Sequence, residues 1–200
     1  MYWWLKNENI DGFRHGIDER HSLPSDMENY TVILIIRNPY EKVASGFIDK
    51  YGKDSEFVKL WKRENITFSK FVEELQKNDW IMVDEHHFTP QTSEAFDIEA
   101  LKKSKYLKVY DIKNIDYEFI ENLYCKKIPG NVLKFKGNHI RKTSPSTFDK
   151  ETVEDIDISE YYDYKVEYKQ FYTNAIKNKI YTFYQNDFLY FKELGFDYDI

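Results

Sequence analysis

The stretch Thr31–Tyr51, TVILIIRNPYEKVASGFIDKY, decides the fold of this chain. It opens with the apolar run Val32–Ile36, which is short, β-branched and closed by Asn-Pro, so it predicts a strand buried on both faces. Asn38 is a helix-capping residue type, Pro39 suits the first helical position, and Glu41 completes a capping box. The sequence therefore predicts a buried parallel strand that leads directly into a helix.

Arg37 stands at the junction between this strand and this helix. Helical spacing places Val43 and Phe47 on one side of the helix, and Lys42 and Ser45 on the other. Ligands in open α/β sheets bind at the carboxyl ends of strands, and the N-terminus of a helix favours anions. The junction therefore predicts an anion site that includes Arg37. An ordinary strand-to-helix junction with a solvated arginine accounts for the stretch equally well.

The junction also resembles a known phosphate-binding motif. Its pattern, Arg37-x-Pro39-x-x-Lys42-x-x-Ser45-x-Phe47, is similar to the 3′-phosphate-binding motif of sulfotransferases that use 3′-phosphoadenosine 5′-phosphosulfate (PAPS). It most resembles the Golgi carbohydrate branch, which includes the chondroitin sulfotransferases. The resemblance implies that Arg37 and Ser45 bind the 3′-phosphate of PAPS. Lys42 replaces the usual second arginine of the motif, which keeps the positive charge but loses bidentate geometry, and we include it among the candidate PAPS-binding residues.

The segment Trp80–Gln91, WIMVDEHHFTPQ, has four ionisable residues in a row at positions 84 to 87. It resembles the family's D-x-H-W-x-P-Q segment at the acceptor site, with His87 at the position of the His and Glu85 at that of the Asp. Glu and His side chains can take a proton from an attacking hydroxyl group. Glu85, His86 and His87 are therefore candidate general bases. Of these, we predict His87 and Glu85 as the catalytic residues, because they match the family segment. A solvated loop and a metal site are the alternatives, although adjacent residues seldom converge on one ion.

Two later segments extend the resemblance. The stretch Gly137–Ser144, GNHIRKTS, is the most basic in the chain and is similar to the family region that closes over the nucleotide. The resemblance implies that Arg141 and Lys142 contact phosphate or sulfate, and a solvated basic loop is the alternative. Residues 184 to 196 resemble the closing Y-x-x-D-[FL]-x-x-F-G-Y segment of the family. The resemblance thus covers about residues 30 to 198.

The beginning of the chain departs from the family pattern. PAPS enzymes normally open with a strand and a Gly-rich loop whose backbone N–H groups and Lys cradle the 5′-phosphosulfate. Gly12–Gly16, GFRHG, has no Lys and no strand pattern before it. We expect a short helix around residues 2 to 8 followed by a loop. Either the chain lacks the first βα unit of the family, or the function of that unit is lost or supplied by other residues.

The remaining periodicity completes the fold prediction. Apolar spacing predicts an amphipathic helix, a second parallel strand and further helices. The inward face of the amphipathic helix consists of Phe68, Phe71, Val72 and Leu75. The predicted helices are Phe68–Lys77, Ile98–Lys103 and Tyr117–Lys126, and the predicted second strand is Tyr106–Tyr110. We therefore expect an α/β chain with a partial P-loop-like sulfotransferase fold. It has a small central parallel sheet flanked by helices, a helical C-terminal region, and a single domain over residues 1 to 200.

Composition excludes several function classes. The 200 residues are 42% hydrophobic and 32% charged, which is typical of a globular protein. A net charge of −6 argues against a nucleic-acid or anionic-membrane binder, so any anion site must be local. Cys125 is the only cysteine, so no intrachain disulfide is possible, and no apolar run approaches the ~18 residues of a membrane span. The sequence therefore predicts a cytoplasmic protein.

Two functions follow from these observations. The first is a PAPS-dependent sulfotransferase that acts on a hydroxyl group of a carbohydrate or other acceptor and requires no metal. The second is a catalytically impaired or truncated relative that binds a nucleotide or a partner. A nucleoside or P-loop kinase is weaker, because the sequence lacks a Walker lysine and its metal-binding partners. The acceptor and the oligomeric state are not predicted by these motifs.

Overall fold

A computed structural model of the chain describes residues 2–6, 25–52, 55–62, 64–78, 81–92, 98–124 and 146–199. The chain divides into two units. The first contains Met1–Arg37, Gln91–Lys136 and Tyr190–Phe196, and the second contains Asn38–Pro90, Gly137–Leu189 and Asp197–Ile200. Each unit has its own apolar core.

The first unit is built on a sheet whose described strands lie in the order β1–β2–β3. β2, Tyr30–Ile36, is central, and β3, Tyr106–Asp111, pairs with it in parallel from Thr31 opposite Tyr106 to the end of both strands. The apolar residues at positions 32, 33, 34 and 36 are at most 2% exposed. The sequence predicted this buried strand and its parallel partner, and both are confirmed.

β1, Tyr2–Lys6, shows that the prediction for the N-terminus was wrong. We expected a helix around residues 2 to 8, whereas the chain forms a strand antiparallel to β2, with Trp3 opposite Ile33. Aromatic side chains favour strands because they fit a pleated, half-buried surface. Pairing with β2 also satisfies the backbone N–H and C=O groups along that strand. The partner lies about 30 residues further along the chain, so the local pattern contained no sign of it.

Helices pack against the sheet of the first unit. α5 is Ile98–Lys102 and α6 is Tyr117–Tyr124. Ile120 of α6 packs on Ile33 of β2, with partly buried apolar residues around the pair: Ile35, Tyr110, Ile115, Phe119 and Leu123. The predicted class, a mixed α/β chain with a small parallel sheet flanked by helices, is therefore confirmed.

The second unit consists of helices and connecting segments in its described part. Its helices are α1, Pro39–Tyr51; α2, Glu56–Leu60; α3, Phe68–Gln76; α4, Glu85–Phe88; α7, Ile158–Tyr161; and α8, Asn174–Phe183. α9, Gln185–Glu193, begins in the second unit and ends in the first. The helical C-terminal region predicted from the sequence is confirmed.

An aromatic core fixes the orientation of α1. The Asn38 side chain accepts a hydrogen bond from the Tyr40 N–H at 2.9 Å, which caps the helix as predicted. The Phe47 ring lies 5.3 Å from the ring of Tyr51 and 5.2 Å from that of Phe68. Such aromatic pairs stabilise a core by about 0.5–1.5 kcal/mol each beyond their burial. The predicted inward face of α1 is confirmed, and the opposite face carries the candidate ligand residues.

Candidate functional site

Arg37 lies in the first unit, directly after β2, and is half-buried. The side chain of Gln91 holds its backbone at both groups. The Arg37 N–H donates to Gln91 Oε1 at 3.0 Å, and Gln91 Nε2 donates to the Arg37 carbonyl at 2.7 Å. These bonds satisfy the polar backbone groups where the strand pairing ends. Gln91, the last residue of the acceptor-like segment, thereby fixes the backbone that carries the candidate phosphate-binding arginine.

Lys42 and Ser45 lie in the second unit on α1. Ser45 is exposed, whereas Lys42 is half-buried. Lys42 Nζ donates a hydrogen bond to the Thr89 carbonyl and lies 5.5 Å from the centroid of the Tyr184 ring. An ammonium over an aromatic face is attracted to it electrostatically. Lys42 therefore ties α1 to the segment that follows α4, a role that the sequence motif did not suggest.

Phe88, the last residue of α4, packs directly on α1. A Cβ on Gly46 would lie 2.8 Å from Phe88 Cε1, so this helix position has room only for glycine. The Phe88 ring is fully buried and lies 4.7 Å from the ring of Phe71. Tyr184 Oη donates a hydrogen bond to the Phe88 carbonyl at 2.5 Å. The consecutive carbonyls of Phe88 and Thr89 are therefore both held by side chains.

Asp84 and His87 form a pair at the start of α4. Asp84 caps the helix by accepting from the His87 N–H at 3.3 Å, and the same oxygen lies 3.0 Å from His87 Nδ1. The side chain of His87 is 43% exposed and that of Asp84 is 18% exposed. Burial alone would raise the pKa of Asp84, but the hydrogen bonds and charge of His87, with the charge of Lys50, lower that pKa below its ordinary value. The imidazole is therefore held by a sheltered carboxylate.

The other sequence candidates have different surroundings. The side chain of Glu85 is exposed, and its carbonyl accepts hydrogen bonds from the Thr89 N–H and from Thr89 Oγ1. The side chain of His86 lies outside the described part of the structure, as do Arg141 and Lys142. In the second unit the structure therefore brings the segment with Glu85 and His87 against the helix with Lys42 and Ser45, and it describes Arg37 in the first unit.

Sequence reasoning missed Asp84 and did not predict the contact of Tyr184. Asp84 had a local signal, because an Asp three residues before a His can cap a short helix and meet the ring. The hydrogen bond from Tyr184 to Phe88 spans 96 residues of sequence, so no local pattern predicts it. Burial, and then the charge of Asp187, raise the pKa of Tyr184 well above its ordinary value. Tyr184 therefore remains a protonated donor.

Among the residues that the structure describes, no three His, Cys, Asp or Glu side chains come together as ligands for a metal ion. In the same part of the chain, no helix is long and apolar enough to cross a membrane.

No curated protein and no solved structure matches the chain. A family model described as "Sulfotransferase family" matches residues 9–197. This range contains the β2–α1 junction, the segment with Asp84 and His87, and the C-terminal helices that hold it. It also contains residues 9 to 29, which lie before the resemblance seen in the motifs. Because the match spans nearly the whole sequence, the chain belongs to the sulfotransferase family.

Proposed function

We propose that this chain transfers a sulfuryl group from PAPS to a hydroxyl group of a carbohydrate. Membership in the sulfotransferase family supports sulfuryl transfer, and enzymes of this family typically use PAPS as the co-substrate. The carbohydrate acceptor is supported by the similarity of the Arg37–Phe47 motif and of the segment at 84–91 to the Golgi carbohydrate branch. The cytoplasmic location remains a prediction from the sequence.

The observation that carries the proposal is the packing of α4 on α1. Lys42 and Gly46 of α1 contact the segment at Phe88 and Thr89, while Ser45 and His87 remain exposed. The candidate phosphate ligand and the candidate base are thus carried by two elements that pack directly on each other. Sites built on packed helices hold their groups more precisely than sites on loops.

Sulfuryl transfer needs an oriented acceptor, cations beside the developing negative charge, and a base. PAPS supplies the sulfuryl group and leaves as adenosine 3′,5′-bisphosphate. The exposed hydroxyl of Ser45 and the guanidinium of Arg37 are donors suited to a phosphate group. For Arg37, as for Arg141 and Lys142, the assignment rests on the motif alone. His87 accepts the proton of the attacking hydroxyl group.

Nucleotide binding is tested by thermal unfolding in adenosine 3′,5′-bisphosphate. At 100 times its dissociation constant, the ligand stabilises the folded chain by about 2.7 kcal/mol, which raises Tm by roughly 5–11 °C. Ser45→Ala should lose most of this shift at the same ligand concentration. Thr182→Ala, which removes another exposed helix hydroxyl, should keep it. A wild-type chain with no shift would refute the nucleotide site.

Turnover is tested with labelled PAPS and a panel of acceptors that includes chondroitin, other glycans and simple phenols. We expect label in a glycan and a loss of about 10²–10⁴-fold in His87→Ala, the usual contribution of a general base. Undiminished transfer in that variant would exclude His87 as the base. Label only in phenols would exclude the carbohydrate acceptor. Bisphosphate binding without transfer to any acceptor would favour a catalytically impaired relative.

A further inference from the structure

The geometry of the Asp84–His87 pair distinguishes the two nitrogens of the imidazole ring. Asp84 Oδ1 lies 3.0 Å from His87 Nδ1 and also accepts the backbone N–H of His87 at 3.3 Å. One carboxylate oxygen therefore fixes both the backbone and the ring of the same residue. Because Nδ1 is occupied by Asp84, Nε2 on the opposite edge of the imidazole is the nitrogen left for a substrate.

The backbone on both sides of the pair is fixed. Before it, the Met82 carbonyl accepts hydrogen bonds from Tyr51 Oη at 2.8 Å and from Trp61 Nε1 at 3.4 Å. After it, the Phe88 carbonyl accepts from Tyr184, as described above. Val83 and Phe88, which flank the segment, are both fully buried. The pair is therefore held in place before any ligand binds, as a catalytic base requires.

The charges of His87 and Lys50 favour the ionised form of Asp84. Lys50 of α1 lowers the pKa of Asp84 after the larger effects of burial, which raises it, and of His87, which lowers it. Glu74 of α3 faces the same region, since burial and then the charges of Asp84 and Glu74 raise the pKa of Tyr51. Glu85 follows Asp84 in the chain and is exposed. Of the two neutral tautomers of His87, an ionised Asp84 beside Nδ1 favours the one that carries its proton on Nδ1.

We propose that Asp84 is the positioning residue for His87: it selects the Nδ1–H tautomer, so that Nε2 takes the proton from the acceptor hydroxyl. In this step the acceptor O–H bond breaks and an N–H bond forms at Nε2. The freed electron pair of the oxygen forms the new bond to sulfur, and the bond from sulfur to the leaving phosphate oxygen breaks. Asp84 stays deprotonated and stabilises the imidazolium. The proposal rests on the proposed function of His87, and it leaves Glu85 as a solvated neighbour.

Asp84→Asn and Asp157→Asn form a matched pair for the test, because each changes the aspartate that caps a short helix to asparagine. Asparagine also caps helices, so α4 should persist in Asp84→Asn. Its amide N–H can donate to Nδ1 and so favours a proton on Nε2, the wrong tautomer for the base. We expect kcat to fall by about 10²–10⁴-fold with KM little changed. Asp157→Asn, at the start of α7, should keep kcat within a few-fold of the wild type.

Nitrogen NMR of the full chain gives a readout that does not depend on activity, with the His87 signal identified by its absence in His87→Gln. The wild type should show the proton of neutral His87 on Nδ1, and Asp84→Asn should shift the tautomer toward a proton on Nε2. A wild-type His87 with its proton on Nε2 would overturn the proposal without any variant. So would an unchanged tautomer in a folded Asp84→Asn.

Failure of the proposed function gives a different pattern. A wild-type chain that transfers sulfate to no acceptor refutes the catalytic part of both proposals, whatever the NMR shows. A wild-type chain that is active, together with an Asp84→Asn variant of unchanged kcat, overturns the role of Asp84 while leaving the sulfotransferase assignment intact. Asp84→Glu, which keeps the charge, should recover part of the activity and the Nδ1–H tautomer.

Discussion

Removing the hydroxyl group of Tyr184 should release the backbone of Phe88. Tyr184 is fully buried and donates to the Phe88 carbonyl, and its raised pKa keeps it protonated. Tyr184→Phe keeps the ring over which Lys42 lies and removes only the donor. The variant therefore isolates the contribution of one hydrogen bond that the sequence did not predict.

The expected magnitude follows from the burial of the acceptor. A buried carbonyl that loses its donor costs about 1–3 kcal/mol of stability. For a chain of this size, each kcal/mol lowers Tm by about 2–4 °C, so Tyr184→Phe should unfold roughly 2–12 °C below the wild type. The slope of stability against urea should not change, because the surface exposed on unfolding is nearly the same.

Tyr181→Phe is the matched control, because Tyr181 lies on α8 and is 43% exposed. Removing its hydroxyl should change stability by less than about 0.5 kcal/mol. Urea unfolding followed by tryptophan fluorescence measures both variants, and hydrogen exchange at Phe88 and Thr89 reports the local release. The reasoning is refuted if Tyr184→Phe is as stable as Tyr181→Phe and exchanges at the wild-type rate.

Three further predictions concern the same segment and the basic stretch. Gly46→Ala should lower the free energy of unfolding by about 1–2 kcal/mol in urea, because overpacking against Phe88 outweighs a gain in helix propensity of about 1 kcal/mol. Asp84 has a lowered pKa, so its ionisation stabilises the fold above about pH 4 and this contribution is lost as the pH falls through the folded-state pKa. The urea midpoints of wild type and Asp84→Asn should therefore differ at neutral pH and converge in acid, and a constant difference would contradict this. Replacing Arg141 and Lys142 by Ala should reduce the Tm shift caused by adenosine 3′,5′-bisphosphate and its salt dependence, and an unchanged shift would exclude both residues from the site.

Local periodicity correctly predicted the inward faces of α1 and α3. The inward residues of α1 and α3 were identified from their spacing, and each of Val43, Phe47, Phe68 and Leu75 is fully buried. The physical reason is that a helix buries one apolar stripe against the core. Three or four apolar residues at helical spacing therefore identify the buried face. The same argument explains the success for β2, whose apolar run required burial on both faces.

Local periodicity does not predict contacts between segments that are distant in sequence. β1 was predicted as a helix because its strand partner is remote in sequence, and the hydrogen bond of Lys42 to Thr89 spans 47 residues. Asp84 was missed for another reason. The family pattern drew attention to Glu85, two residues before His87, whereas the cap geometry of a short helix brings the residue three before it to the ring. In that segment the backbone conformation determines which carboxylate contacts the His87 ring.

The motif that begins at Arg37 can now be divided by physical role. Pro39 starts α1, Phe47 lies in the core, and Gly46 gives room to Phe88. Lys42, expected among the PAPS ligands, donates to a backbone carbonyl of the segment at 84–91. Of residues 39 to 47, all of which the structure describes, Ser45 alone is exposed. Its hydroxyl group has none of the structural roles described for the other residues of the motif.

The two motifs are in direct contact in the structure. The helix of the first motif packs on the second motif, since Gly46 and Lys42 contact the consecutive residues Phe88 and Thr89 of the acceptor-like segment. A substitution at Lys42 should therefore disturb His87 as well as any bound phosphate. Loss of activity in a Lys42 variant would not by itself identify a nucleotide ligand, whereas loss of bisphosphate binding in Ser45→Ala would. Ser45, rather than Lys42, is the residue of α1 on which the nucleotide assignment should be judged.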